Sequence, residues 1–150
     1  MICKVIPYEG NEPFLFISYC HEDKKIAYPF IEALAADGIR LWYDDGIHAG
    51  AEWPEVIAEH LNSCHACIEI LTPAYTESHN CRNEINFLAQ LGKTVIPIQW
   101  TDFPMSLGIR LQLAATQYIK RFTLQEDWML LQRLYQSEVV QACHGWLPVY

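Results

Sequence analysis

Short apolar runs separated by stretches of helical period constrain this chain most. Four runs have strand length: Phe14-Leu15-Phe16-Ile17, Ile39-Arg40-Leu41-Trp42-Tyr43, Ala66-Cys67-Ile68-Glu69-Ile70-Leu71 and Thr94-Val95-Ile96-Pro97-Ile98-Gln99. The nearly continuous apolar character of such runs suits strands buried on both faces. Pro97 removes one ladder donor and predicts a bulge or a strand end there.

The intervening stretches read as helices. The first takes Asp23 as N-cap, carries the stripe Ile26, Phe30, Ile31 and Leu34, and stops at Asp37-Gly38, with Pro29 tolerated only near its first turn. The second is entered around Trp53-Pro54 and carries Trp53, Val56, Ile57, His60, Leu61 and Cys64 on one face. On that face His60 reads as a packed, hydrogen-bonded core histidine. The third begins at Asn80 as N-cap, carries Cys81, Ile85, Leu88 and Leu91, and is closed by Gly92. Glu84 then borders the buried stripe in the first helical turn, where exposed N–H groups and the helix dipole favour a carboxylate.

After a less regular segment from Thr101 to Leu113, a short fifth strand is expected around Gln117-Tyr118-Ile119. A long last helix follows, with Trp128, Leu131, Tyr135, Val139, Ala142 and Trp146 on one face. Strands alternating with helices imply an α/β fold, a mostly parallel five-stranded sheet in the flavodoxin-like order 2-1-3-4-5 flanked by helices. Ligands of such sheets bind where chain direction reverses, outside the carboxyl ends of the first and third strands. Ser18 to Asp23 and Thr72 to Glu84 occupy that crevice.

The 150 residues suit one domain spanning 1–150, and 51% hydrophobic against 19% charged residues supplies an ample core. A net charge of -8 disfavours nucleic acid and anionic membranes as partners. The start MICKVIPYEG lacks an apolar signal region and no run approaches membrane-span length, so a cytoplasmic protein is expected. The six cysteines then read as reduced thiols. Cys64-His65-Ala66-Cys67 is a lone CxxC with no second ligand pair, so no metal site is expected.

Several chemistries fail on their central residues. A phospho-accepting receiver needs an aspartate where Leu71-Thr72 stands, and a flavin phosphate loop is poorly served by Glu22 and Asp23. No GxGxxG or GxxxxGK[ST] is present, and adjacent Cys20 and His21 point in different directions for a nucleophile pair. A lone strategic glutamate suits a different reaction. Ordinary glycoside cleavage wants two carboxylates, whereas a cationic leaving group such as the nicotinamide of NAD+ departs neutral and needs no acid. One carboxylate would then suffice to hold ribose hydroxyls and stabilise the oxocarbenium-like charge. Phe16, Tyr19, Trp53, Trp100 and Phe103 are candidate stacking partners and equally candidate core.

Four segments in order form a pattern: Phe14-Leu15-Phe16-Ile17-Ser18-Tyr19, Leu41-Trp42-Tyr43-Asp44-Asp45 opening a long loop, Ser78-His79-Asn80-Cys81-Arg82-Asn83-Glu84, and Val95-Ile96-Pro97-Ile98. Over about residues 13 to 147 the chain resembles the Toll/interleukin-1 receptor (TIR) domain, especially its stand-alone bacterial members. The resemblance implies an NAD+ glycohydrolase or ADP-ribosyl cyclase with Glu84 as catalytic glutamate, NAD+ as substrate and no bound cofactor. Ser78 and Cys81 match the family's Ser-x-Trp-Cys-x-x-Glu segment, while Asn80 stands where it has tryptophan. Cys20 and His21 take the place of often basic residues near the substrate, and Trp100 that of an aromatic wall. With Phe16, Ser18, Tyr19 and Asp45 these make up the expected substrate-binding set. The loop from Asp44 to Glu52 matches the BB loop of self-association. The implied setting is Thoeris-like antiphage defence, with a cyclic product sensed by a separate effector protein. The alternative is a non-enzymatic adaptor working by TIR–TIR contacts; a nucleoside deoxyribosyltransferase on a similar sheet is a third reading, disfavoured by the BB-like loop.

Overall fold

Five strands pair in parallel in the order β2-β1-β3-β4-β5, the order expected from the sequence. In the computed structural model, which describes residues 2–45, 53–114, 116 and 118–145, they are β1 (Leu15–Ser18), β2 (Leu41–Tyr43), β3 (Ala66–Leu71), β4 (Thr94–Gln99) and β5 (Ile119–Lys120). The helices are α1 (Lys24–Ala36), α2 (Trp53–Ser63), α3 (Pro73–Glu77), α4 (His79–Leu91), α5 (Leu107–Leu113), α6 (Asp127–Tyr135) and α7 (Glu138–Gln141). Of the expected fifth strand, Gln117 lies outside the described residues.

Both faces of the central strands are buried, which explains their unbroken apolar character. One face packs Leu15, Ile17, Ala66, Ile68, Ile70 and Ile98 against Ala27, Phe30, Ile31 and Leu34 of α1 and Leu130 and Leu134 of α6. The other packs Phe14, Phe16, Trp42 and Cys67 against Leu61 and Cys64, at the end of α2, and Leu88 of α4. Cys64 and Cys67 are thus core residues, and all six cysteines are free thiols. His60 stacks on Trp42 at 4.1 Å, and its ring nitrogens meet the Val56 carbonyl at 2.7 Å and Glu9 at 2.9 Å.

Several local expectations are corrected. Pro97 interrupts nothing: β3 and β4 stay in register from Ala66–Thr94 to Leu71–Gln99. Among the described residues β5 pairs only with Ile98 and Gln99, so β4 has an unpaired side at Pro97, where a missing donor costs least. Pro29 is the sixth residue of α1 rather than a first-turn residue. It and Lys25 are exposed, so the carbonyl deprived of its partner lies on the wet side. Asp23 precedes α1 without capping it through its side chain.

Ile39 and Arg40 fall outside β2. Ile39 forms an antiparallel bridge with His144, and Arg40 N–H donates to the Cys143 carbonyl at 2.8 Å. That return of the chain requires a bend, and the expected single last helix accordingly breaks at Gln136-Ser137 into α6 and α7. The buried positions become Leu130, Leu134, Val140 and Cys143, one step off the expected face, leaving Trp128 57% exposed. Trp146 lies outside the described residues.

Candidate functional site

At the carboxyl ends of β1 and β2, a cavity of about 720 Å³ opens between α2 and α4, a size that suits a nucleotide-sized ligand. Tyr19, Cys20, His21 and Glu22 form one edge, and Asp44 another; Pro54, Ile57, Ala58 and Leu61 of α2 face Ser78, Asn80, Cys81, Asn83, Glu84 and Phe87 across it. The expected crevice lies outside the ends of β1 and β3; the cavity keeps the loop after β1 and the Ser78–Glu84 part of the segment after β3, but its other wall comes from Asp44 after β2 and from α2.

The helix carrying Glu84 starts earlier than its sequence suggests. Thr72 caps α3, its Oγ1 accepting from Tyr75 N–H at 3.1 Å, and α3 ends at Ser78. Ser78 itself is the N-cap of α4, accepting from Cys81 N–H at 3.3 Å, so Asn80 lies inside the helix and points its surface to the cavity. Glu84 is therefore the sixth residue of α4 and not a first-turn acid. The expected stabilisation by the helix terminus does not reach it; the positive end of the α4 dipole lies at Ser78, Asn80 and Cys81 instead.

Side chains hold Glu84. Ser18 Oγ donates to its Oε2 at 2.9 Å, and Ser18 Oγ also lies 2.8 Å from the Tyr75 hydroxyl. Burial pushes the Glu84 carboxyl up to about 7; Asp44 adds to the rise, while the Ser18 hydrogen bond and His21 oppose it. At neutral pH the group stands close to its own midpoint. His21 Nε2 contacts Asp44 Oδ2 at 3.2 Å. That partner pushes the imidazole pKa up, against burial, which favours a cation at the rim. Tyr19 donates to the Asp44 carbonyl at 2.5 Å and so ties the β1 loop to the end of β2.

The geometry brings together Tyr19, Cys20, His21, Ser78, Asn80, Cys81 and Glu84 of the expected set, with Ser18 beneath Glu84. Three others lie away from the cavity. Phe16 packs on Trp42 at 5.2 Å in the core beneath. Trp100 lies on the opposite side of the sheet, edge-on to Phe30 at 5.4 Å with the Arg121 guanidinium 4.5 Å from its ring centre. Asp45 accepts at its carbonyl from Tyr28 at 3.3 Å. Phe103 packs in a third apolar cluster with Leu71, Tyr75 and Cys81. Most of the loop expected to mediate self-association, Gly46 to Glu52, and the side chain of Trp53 lie outside the described residues.

Sequence reasoning passed over Asp44, Thr72, Tyr75 and Glu69. Thr72 Oγ1 donates to Asp23 Oδ2 at 2.5 Å and so ties the ends of β3 and β1 together. Asp44 and Thr72 directly follow β2 and β3, Glu69 is an acid inside an apolar strand, and those positions are the available signals; Tyr75, inside α3, carries none.

A family model described as "TIR domain" matches residues 15–135. The chain belongs to the TIR family. No curated protein matches the sequence. Among solved structures this TIR domain is similar to that of the Toll-related receptor TRR-2 of Hydra magnipapillata, with a TM-score of 0.63, 17% identity, and coverage of 82% of this chain and 98% of that one. The CMP N-glycosidase BcmB of Clostridium botulinum gives 0.58 at 18% identity, covering 81% and 98%. The TIR domains of the activated Roq1 resistosome give 0.54 at 16% identity, covering 86% and 84%. At such identities the likeness is one of fold.

Proposed function

We propose that this TIR domain cleaves the bond between nicotinamide and ribose in NAD+, with Glu84 as the catalytic carboxylate. The observation that carries the reading is Glu84 itself: a half-buried acid facing a nucleotide-sized cavity, with Ser18 aimed at one oxygen. An adaptor gains nothing from a carboxylate held at a cavity wall, and its partial burial, which raises its pKa, is destabilising when it is ionised.

The N-glycosidic bond breaks heterolytically, and its electron pair goes to the pyridinium nitrogen, so nicotinamide leaves neutral. Positive charge develops on the ribose C1′ and ring oxygen, and ionised Glu84 at the cavity wall stabilises it. Water then adds at C1′ and loses a proton, giving ADP-ribose; attack by the adenine or an adenosine-ribose hydroxyl gives a cyclic isomer instead. His21, with the positive end of α4 nearby, supports the diphosphate. The product would serve as a signal read by an effector protein, in cytoplasmic antiphage defence of the kind the resemblance implies, and self-association through the Asp44 to Glu52 loop would regulate it.

A second reading draws on the elevated Glu84 pKa. A neutral N-glycoside, such as the nucleotide on which the BcmB N-glycosidase acts, needs a proton on its leaving base, and a carboxyl titrating near 7 can supply one. Incubation with NAD+ and with CMP separates the two: nicotinamide release dependent on Glu84 supports the first, and cytosine release alone supports the second.

A further inference from the structure

A buried carboxyl stands behind Glu84. Glu69 is 4% exposed, and its Oε2 has no hydrogen-bond partner among the described residues. It is paired across the sheet with Ser18, the residue that donates to Glu84, and with Pro97, which has no N–H to offer. Alternation along β3 sends its side chain to the same face as Cys67 and Leu71, the face covered by Leu88 and Cys81 of α4. The two carboxyls are thus neighbours on one face of the sheet, one buried and one half-buried, and they differ in their surroundings. Glu84 has a donor and an opening to the cavity, whereas Glu69 does not line it.

We propose that Glu69 is the positioning residue of Glu84: it retains the proton of the pair, so that the single charge sits on the carboxylate facing the substrate. Two adjacent carboxyls in a largely apolar setting do not both ionise readily, and the charge goes to the one that is hydrogen-bonded and open to the cavity. A neutral carboxyl without a partner loses far less than a bare carboxylate. The surroundings agree. Burial first, and Glu84 second, push the Glu69 carboxyl up to about 8. The groups facing the pair are Cys67 on β3, Tyr75 on α3, Cys81 on α4, Asp44 beyond β2, and His21. Among the described residues His21 is the cation acting on Glu84, and none acts on Glu69.

The assignment rests on the NAD+ reading for its consequence: loss of the second proton sets two charges against each other and drives Glu84 off Ser18. Initial rates of nicotinamide release by the full chain, from roughly pH 5.5 to 9, test it in wild type and Glu69→Gln. Wild type should rise through about pH 7 and then fall about tenfold for each pH unit above the second ionisation; Glu69→Gln should keep the rise and lose the fall. A second readout needs no activity. Because the native pKa of Glu69 is raised, wild-type stability is full below the unfolded value and declines as pH rises toward the native one. The thermal midpoint of Glu69→Gln should therefore pull ahead of wild type progressively from about pH 5 to about pH 8. The same alkaline limb in both proteins overturns the proposal, as does a midpoint difference independent of pH. Wild type inactive at every pH contradicts the NAD+ reading instead, and the proton assignment is then decided by the midpoints alone.

Discussion

Ser18 donates the one proton of its hydroxyl to Glu84 at 2.9 Å, and Tyr75, 2.8 Å from the same oxygen, must therefore be the donor to Ser18 when Glu84 is ionised. A strand residue and a buried tyrosine so form a chain of donors ending on the candidate catalytic carboxylate. Ser18→Ala removes the contact that opposes the burial-driven rise of Glu84. The acid limb of the pH–rate profile should move to higher pH, and the rate at pH 7 should fall roughly threefold, since a donor worth about 1 kcal/mol moves a midpoint near 7 by about 0.7 of a pH unit. A complete rate profile distinguishes this from a simple loss of folded protein.

Asp44 acts on two groups in the same sense. Its contact raises the pKa of His21, and its charge adds to that of Glu84. In Asp44→Asn both should drop, so the acid limb shifts to lower pH while binding of an anionic substrate weakens earlier on raising pH. His21→Ala should raise KM for NAD+ up to about fivefold, the scale of an exposed charge contact, and leave kcat less affected. Steady-state kinetics at two pH values check both.

Glu84 burial sets function against stability. Its carboxyl lies near 4.5 when exposed and about 7 in the folded chain. The native state thus holds the proton more tightly, and this contribution to stability is full below about pH 4.5 and is lost as pH rises toward 7. Glu84→Gln, which never ionises, should be inactive yet more stable than wild type at pH 8, by on the order of 3 kcal/mol at most. Chemical denaturation at pH 5 and pH 8 should find the gap only at the higher pH.

Thr72 joins the end of β3 to the segment after β1, capping α3 and donating to Asp23. Thr72→Val keeps the shape and deletes both bonds. Loss of a cap and of a charge-assisted contact should remove roughly 2–3 kcal/mol of stability and lower the thermal midpoint by roughly 5–10 °C.

The strand order, the position of the crevice and the placing of Glu84 in it were legible because hydrophobic period and connection length decide them. Local chemistry was harder to read. Ser78 and Asn80 are both good caps, and only the preceding helix ending at Ser78 decides between them. Trp100 reads equally as a stacking wall or as core, and its side of the sheet follows from strand alternation that a loop residue does not reveal. Ser18 and Tyr75 lie 57 residues apart and meet only in the folded chain. Glu69 was visible as an acid within an apolar strand, but which face it took, and what stood beside it, depended on the register of three strands.

The central claim is tested most directly by mass spectrometry of NAD+ incubated with concentrated wild-type protein and, in parallel, with Glu84→Gln. The account predicts nicotinamide, together with ADP-ribose or a cyclic isomer, from wild type alone. Nicotinamide release by neither protein, with self-association forced by crowding, or equal release by both, would contradict it.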